Sequence, residues 1–144
     1  MKREEITPAL AAKLMETAIA QREKAYVPYS HFRVGAALLA EDGTVYTGCN
    51  IENSTYGAAN CAERTAFFKA VSEGERKFAA ICIAGGPEGS DPIPCPPCGI
   101  CRQVMSEFCG PDFPLILVQS STDYRIVTLG ELLPEAFTLQ GTEG

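Results

Sequence analysis

Phe78-Ala79-Ala80-Ile81-Cys82-Ile83-Ala84 carries no charged or amide side chain, and Gly74 before it and Gly85-Gly86-Pro87 after it cut the run to the length of one strand. A short, uniformly apolar run of this kind suits a strand buried on both faces. Two buried faces demand covering layers above and below, and the flanking segments supply them. From Thr7 to about Ala25 a Thr cap, Pro8 in the first turn and Leu10, Leu14, Ala18 and Ile19 at helical spacing predict a helix, which Val27-Pro28-Tyr29-Ser30 breaks. Val34 to Ala40 and Val45 to Ile51 flank Glu41-Asp42-Gly43-Thr44, a hairpin signal. Cys61 to about Val71 and Cys98 to about Phe108 look helical, residues 85–94 form a loop by composition, and Leu115 to Gln119 and Tyr124 to Leu129 are short strands. The order α-β-β-α-β-α-β-β predicts an α/β fold: a three-layer α/β/α sandwich around a mixed, five-stranded sheet, one domain over residues 1–144.

Charge narrows the function. A formal net charge of −6 disfavours nucleic acid as a partner, because such binding is driven by Lys and Arg neutralising phosphates. No apolar run reaches membrane-spanning length, and the amino terminus, mixed in charge, lacks the apolar core of a signal peptide. The expected compartment is the cytoplasm. There the seven cysteines are reduced thiols, metal ligands or small buried groups rather than a disulfide framework.

Three of them stand out. Cys98 and Cys101 lie three apart where a helix begins, so their sulfurs share one face of its first turn, and Cys61 opens the preceding helix in the same way. Thiolates at helix amino termini are favoured by unpaired N–H groups and the positive end of the dipole, which suits them to zinc. Catalytic zinc keeps three protein ligands and one open position, and Glu63, two residues after Cys61, is placed to act there as a base. A lone Cys-x-x-Cys is equally at home in a redox pair or half of a structural zinc knuckle; Cys61 with its carboxylate tips the balance. The competing pair Cys95-Pro96-Pro97-Cys98 is set aside, since two prolines remove the N–H groups that would support the sulfurs. Cys95 is expected to be a bystander, and Cys49, Cys82 and Cys109 to be structural.

The chain resembles the zinc-dependent cytidine deaminases in their small, three-cysteine form. The resemblance is carried by Tyr29-Ser30-His31-Phe32-Arg33-Val34-Gly35-Ala36-Ala37, Gly48-Cys49-Asn50-Ile51-Glu52-Asn53, Cys61-Ala62-Glu63-Arg64-Thr65-Ala66, Pro97-Cys98-Gly99-Ile100-Cys101-Arg102-Gln103 and Glu131-Leu132-Leu133-Pro134, over roughly residues 10–137. It implies Zn²⁺ held by Cys61, Cys98 and Cys101, an activated water, and Glu63 shuttling protons while cytidine or deoxycytidine becomes uridine or deoxyuridine with release of ammonia, in pyrimidine salvage. It implies Arg64 hydrogen-bonding the ligand sulfurs, Asn50 and Glu52 holding the ribose hydroxyls, and Phe32, Tyr56 and Ala62 lining the nucleoside pocket. Phe137 would reach that pocket from a neighbouring subunit of a homotetramer. His31, the only histidine, has no catalytic role in this scheme. Two rival functions remain: a deaminase for another aminopyrimidine or a nucleoside antibiotic such as blasticidin S, against which Asn50 and Glu52 argue, and a nonenzymatic zinc-structured interaction module, which would leave Glu63 without purpose.

Overall fold

The computed structural model of the chain describes residues 1–139; positions 140–144 of the expected domain lie outside the described residues. Strands β1 (Phe32–Ala40), β2 (Val45–Cys49), β3 (Phe78–Pro87), β4 (Pro114–Val118) and β5 (Tyr124–Thr128) form a five-stranded sheet in the order β2-β1-β3-β4-β5. β3 and β4 run parallel, and the other neighbours are antiparallel. Helix α1 (Pro8–Gln21) packs on one face, and α2 (Ala62–Ser72) and α3 (Gly99–Phe108) pack on the other. The expected three-layer α/β/α sandwich is the observed architecture. Among the described residues, no helix is long and apolar enough to cross a membrane.

The two faces of β3 explain why the layers differ. Side chains alternate along a strand, so Ile81 and Ile83 face α2 and α3 while Ala80, Cys82 and Ala84 face α1. Small residues let α1 lie close to the sheet. The opposite side is filled by bulk, centred on Phe67, which is wholly buried with its ring 5.0 Å from Phe78, 6.1 Å from Phe108 and 6.3 Å from Phe113. Phe67→Ala is expected to cost about 3–5 kcal/mol of folding stability in denaturant titration; a loss below about 1 kcal/mol would mean that the aromatic cluster does not hold α2 to the sheet.

Two glycines set the helix-to-sheet contacts. A β-carbon on Gly35 of β1 would lie 2.1 Å from the Ala18 carbonyl oxygen of α1, and one on Gly48 of β2 would lie 2.2 Å from the Ala62 oxygen and 2.6 Å from the Ala66 nitrogen of α2. At both points helix backbone rests directly on strand backbone. Arg33 ties down the turn that follows α1, donating from Nη1 to the carbonyls of Arg22, Glu23 and Ala25 at 3.2, 3.3 and 2.9 Å.

Several boundaries moved. β1 begins at Phe32 rather than Val34, and β3 continues through Gly85, Gly86 and Pro87, expected to be loop, because Phe32, Arg33 and Val34 offer that segment a partner. Ladder pairing overrides the poor strand propensity of glycine and proline there. β2 stops at Cys49, short of Ile51, since Asn50 turns its side chain onto β1. The sequence pattern also missed α4 (Leu129–Leu132), which Thr128 and Glu131 open with a reciprocal capping box.

Candidate active site

Cys61 and Cys98 are the N-caps of α2 and α3, each in extended conformation, and Cys101 lies in the first turn of α3. The contact that brings them together is α2 packing beside α3 on one face of the sheet. Cys61 Sγ lies 3.7 Å from Cys98 Sγ, Cys98 Sγ lies 3.4 Å from Cys101 Sγ, and all three fall within 4.8 Å of one another. Tetrahedral Zn–S bonds of about 2.3 Å require sulfurs about 3.8 Å apart. The donor set therefore fits zinc in both chemistry and spacing. Among the described residues no fourth His, Cys, Asp or Glu joins the group, and Cys95 is not one of its members.

Supporting groups surround the sulfurs. The Cys101 N–H donates to Cys98 Sγ at 3.4 Å, and Arg64 Nη2 donates to Cys61 Sγ at 3.4 Å. Arg64 Nε is buried without a partner, a cationic donor left beside a cluster that becomes anionic when its thiols ionise. Contact with Cys101, reinforced by Arg64 and Cys98, holds the Cys61 thiol down to about 5 against the opposing effect of burial. Cys101, which shares that proton, is pushed the other way. Arg64→Met is expected to weaken zinc binding by about 10- to 100-fold in chelator competition while leaving the fold intact; unchanged zinc affinity would assign Arg64 to packing alone.

Glu63 sits in the first turn of α2 and is 4% exposed. Burial pushes its carboxyl up to about 7, against a smaller downward pull from its own backbone N–H. A carboxyl that changes protonation near neutrality suits acid and base work by the same group. Ala62, immediately before it, is wholly buried under the Gly48 contact.

The expected nucleoside-pocket residues occupy four places. Asn50 is committed to β1: its Oδ1 accepts from the Val34 N–H at 2.9 Å and its Nδ2 donates to the Phe32 carbonyl at 2.9 Å, so it extends the ladder past the end of β2. One amide hydrogen and one lone pair remain for a ligand. Glu52 accepts from the N–H groups of Tyr29 and Ser30 at 3.0 and 3.2 Å, and hydrogen bonding led by the Ser30 side chain holds it below the usual carboxylate range. Glu52, Tyr56, Tyr29 and Ser30 line a cavity of about 330 Å³, with the Tyr56 and Tyr29 rings edge to face at 6.2 Å. Phe32 opens β1 beside β3. Phe137 is 68% exposed, its carbonyl accepting from Gln103 Nε2 of α3 at 2.8 Å. His31, at φ 56°, turns the chain into β1 and pairs its Nδ1 with Glu88 at 3.1 Å.

Residues that sequence reasoning passed over complete the frame. Buried Arg22 donates to the carbonyls of Arg33, Pro87 and Ser90 at 3.2, 3.2 and 3.0 Å, tying α1 to the loop that leads to the metal ligands. Arg102 donates to the Pro97 and Leu132 carbonyls, both at 2.9 Å, fixing the same loop from the other side. Arginine within a helix pattern gave no sign of either role. The backbone N–H pair that holds Glu52 was equally hidden, since it arises only when Tyr29 and Ser30 fold over the strand ends.

Three convergent cysteines at two helix starts, with a buried glutamate in the first turn of one of those helices, fit a zinc site with an acid–base group at hand, and the comparisons with known proteins point to zinc-binding deaminases. Residues 9–116 match the family model described as the cytidine and deoxycytidylate deaminase zinc-binding region. The chain belongs to that family. It is 56% identical over 126 residues to a cytidine deaminase of Sporosarcina psychrophila, covering 88% of this chain and 90% of the relative. It is 53% identical over 127 residues to one of Halalkalibacterium halodurans, covering 88% and 93%. Among solved structures, the cytidine deaminase of Burkholderia pseudomallei superposes with a TM-score of 0.79 at 50% identity, over 87% of this chain and 97% of that one.

Proposed function

We propose that this chain, acting as one domain, hydrolyses cytidine and deoxycytidine to uridine and deoxyuridine with release of ammonia, as a cytoplasmic enzyme of pyrimidine salvage. The observation that carries this is Glu63, buried in the turn that bears one of three convergent thiolates. Cys61, Cys98 and Cys101 would hold zinc, which would supply a Lewis acid able to make water acidic near neutral pH. Glu63 receives the proton of the attacking water and passes it to N3 of the pyrimidine as oxygen bonds to C4. It then carries the second proton to the exocyclic nitrogen, so that the C4–N bond breaks and ammonia leaves. One carboxylate is base and acid in turn, which its raised pKa favours.

Glu52 holds the ribose by its free lone pairs, and Asn50 contributes the donor that the ladder leaves unused. Phe32 and Tyr56 border the nucleoside, whereas Ala62 is wholly buried and serves by seating Glu63 next to it. Because Glu52 is anionic, a 5′-phosphate brings like charge to the site, and cytidine is expected to outperform its monophosphate by about tenfold or more in kcat/KM. Comparable turnover of the two would sink the Glu52 assignment. Tyr26, Tyr29, Ile51, Tyr56, Ile100 and Phe137 are exposed large apolar groups, with Ile100 between two of the ligands and Ile51 bridged to Tyr26. They support a homotetramer in which Phe137 completes a neighbour's site. The deciding assay follows cytidine loss by ultraviolet absorbance with ammonia measured in parallel, alongside the mass in solution by light scattering. No turnover by protein holding one zinc per chain would refute the substrate, and full activity as a monomer would refute the shared site.

A further inference from the structure

Gly85 occupies a crowded point on β3. A β-carbon there would lie 2.6 Å from Cys95 Sγ, 2.9 Å from Cys95 Cβ and 3.3 Å from Phe32 Cε1. Two side chains from distant segments, one at the head of β1 and one in the loop before the metal ligands, thus border the space that any larger residue at position 85 would fill. On the loop side nothing can give way easily. The Ile93 N–H donates to the Gly85 carbonyl at 2.8 Å, Arg22 holds the Pro87 and Ser90 carbonyls, and Pro96, Pro97 and the ligand Cys98 follow Cys95 directly. Proline restricts its own φ and the residue before it, so Cys95 is held by the rigidity of its successors. The group free to yield is the Phe32 ring, which is only partly buried.

We propose that Gly85 and Cys95 are a pair of positioning residues for Phe32: the glycine opens a slot, the thiol fills it, and the ring edge rests against both, which sets how far the ring stands from the pyrimidine. A neutral sulfur is suited to this, being polarizable and favourable at a ring edge. The thiol is half-buried and outside the three-sulfur cluster, so its part is packing and not ligation. The proposal rests on the assignment of Phe32 to the pyrimidine pocket.

The test is a cycle of Gly85→Ala and Cys95→Gly, with Phe32→Ala as the reference, reading KM and kcat for cytidine, zinc content and melting temperature on the zinc-loaded enzyme. Gly85→Ala is expected to raise KM about tenfold with kcat within about threefold and zinc retained, because overpacking displaces the ring and leaves the chemistry in place. Adding Cys95→Gly removes both Cys95 contacts, at 2.6 and 2.9 Å, and is expected to bring KM back to within about threefold of wild type. A purely structural glycine would lower the melting temperature without a KM change that a second substitution reverses. If Gly85→Ala is not recovered as folded protein, Cys95→Leu applies the same pressure from the loop side and carries the same expected rise in KM. Phe32→Ala separates the two ways of failing. Where it raises KM but Gly85→Ala or its loop-side substitute does not, or where Cys95→Gly fails to reverse the effect, the positioning pair is wrong and the pocket assignment survives. Where Phe32→Ala leaves KM unchanged, the pocket assignment falls and takes the positioning pair with it.

Discussion

Glu63→Gln is expected to keep one zinc per chain and lose about 10³- to 10⁴-fold in kcat for cytidine, the upper range for a positioned acid–base group, because one carboxylate handles every proton in the reaction. Glutamine preserves shape and burial while removing the exchangeable proton. Steady-state kinetics with metal analysis on the same samples check it, and a variant that keeps both zinc and activity would remove Glu63 from the mechanism. The same substitution has a second expected effect, on stability in zinc-free protein. Burial raises the folded-state pKa of Glu63 from 4.5 to about 7, so the folded state holds this proton more tightly than the unfolded chain. The stability tied to it is present in full below pH 4.5 and is lost as pH rises through 7. Wild type should lose about 3 kcal/mol relative to Glu63→Gln across that window. Parallel pH–stability curves for the two proteins would contradict the buried, protonated carboxyl.

Gly48→Ala is expected to cost the protein both its zinc and its stability. Its β-carbon would collide with the Ala62 carbonyl oxygen at 2.2 Å, and backbone cannot step aside as a side chain can. The first turn of α2 must therefore lift, carrying Cys61 and Glu63 away from Cys98 and Cys101 on α3. Zinc affinity and kcat/KM should each fall by more than about 100-fold, together with about 3 kcal/mol or more of stability. Gly35→Ala provides the control, since it meets the Ala18 oxygen at 2.1 Å on the opposite face, where α1 carries no ligand. It should lose comparable stability and keep its zinc. Equal loss of zinc in both variants would mean that the metal reports global unfolding and not the seating of α2.

The comparison of these two glycines shows where sequence reasoning reaches and where it stops. The run from Phe78 to Ala84 announces a strand covered on both sides, and the pattern announces helix starts at Cys61 and Cys98 with thiols placed to serve as ligands, because periodicity and capping are local properties. The convergence of the three sulfurs was legible only as a hypothesis drawn from spacing and resemblance. What stayed hidden depends on contacts between segments far apart in the chain. Gly35 and Gly48 look like ordinary strand glycines until a helix lies on them. Gly85 and Gly86 look like loop until Phe32 and Arg33 pair with them. Only the finished sheet shows the Asn50 amide partly spent on the backbone of β1.

The two N-caps that present Cys61 and Cys98 also tie together points 37 residues apart. A bound ion there is a reversible cross-link as much as a reagent, closing a loop whose entropic cost in the unfolded chain is about 4 kcal/mol if it is treated as a disulfide would be. Folding and loading then share one equilibrium: free zinc well above its dissociation constant raises the stability of the whole chain by mass action. An enzyme stripped of metal loses its reagent and its brace in the same event, so the population able to turn over substrate and the population that survives heating are governed by a single variable, the zinc supply.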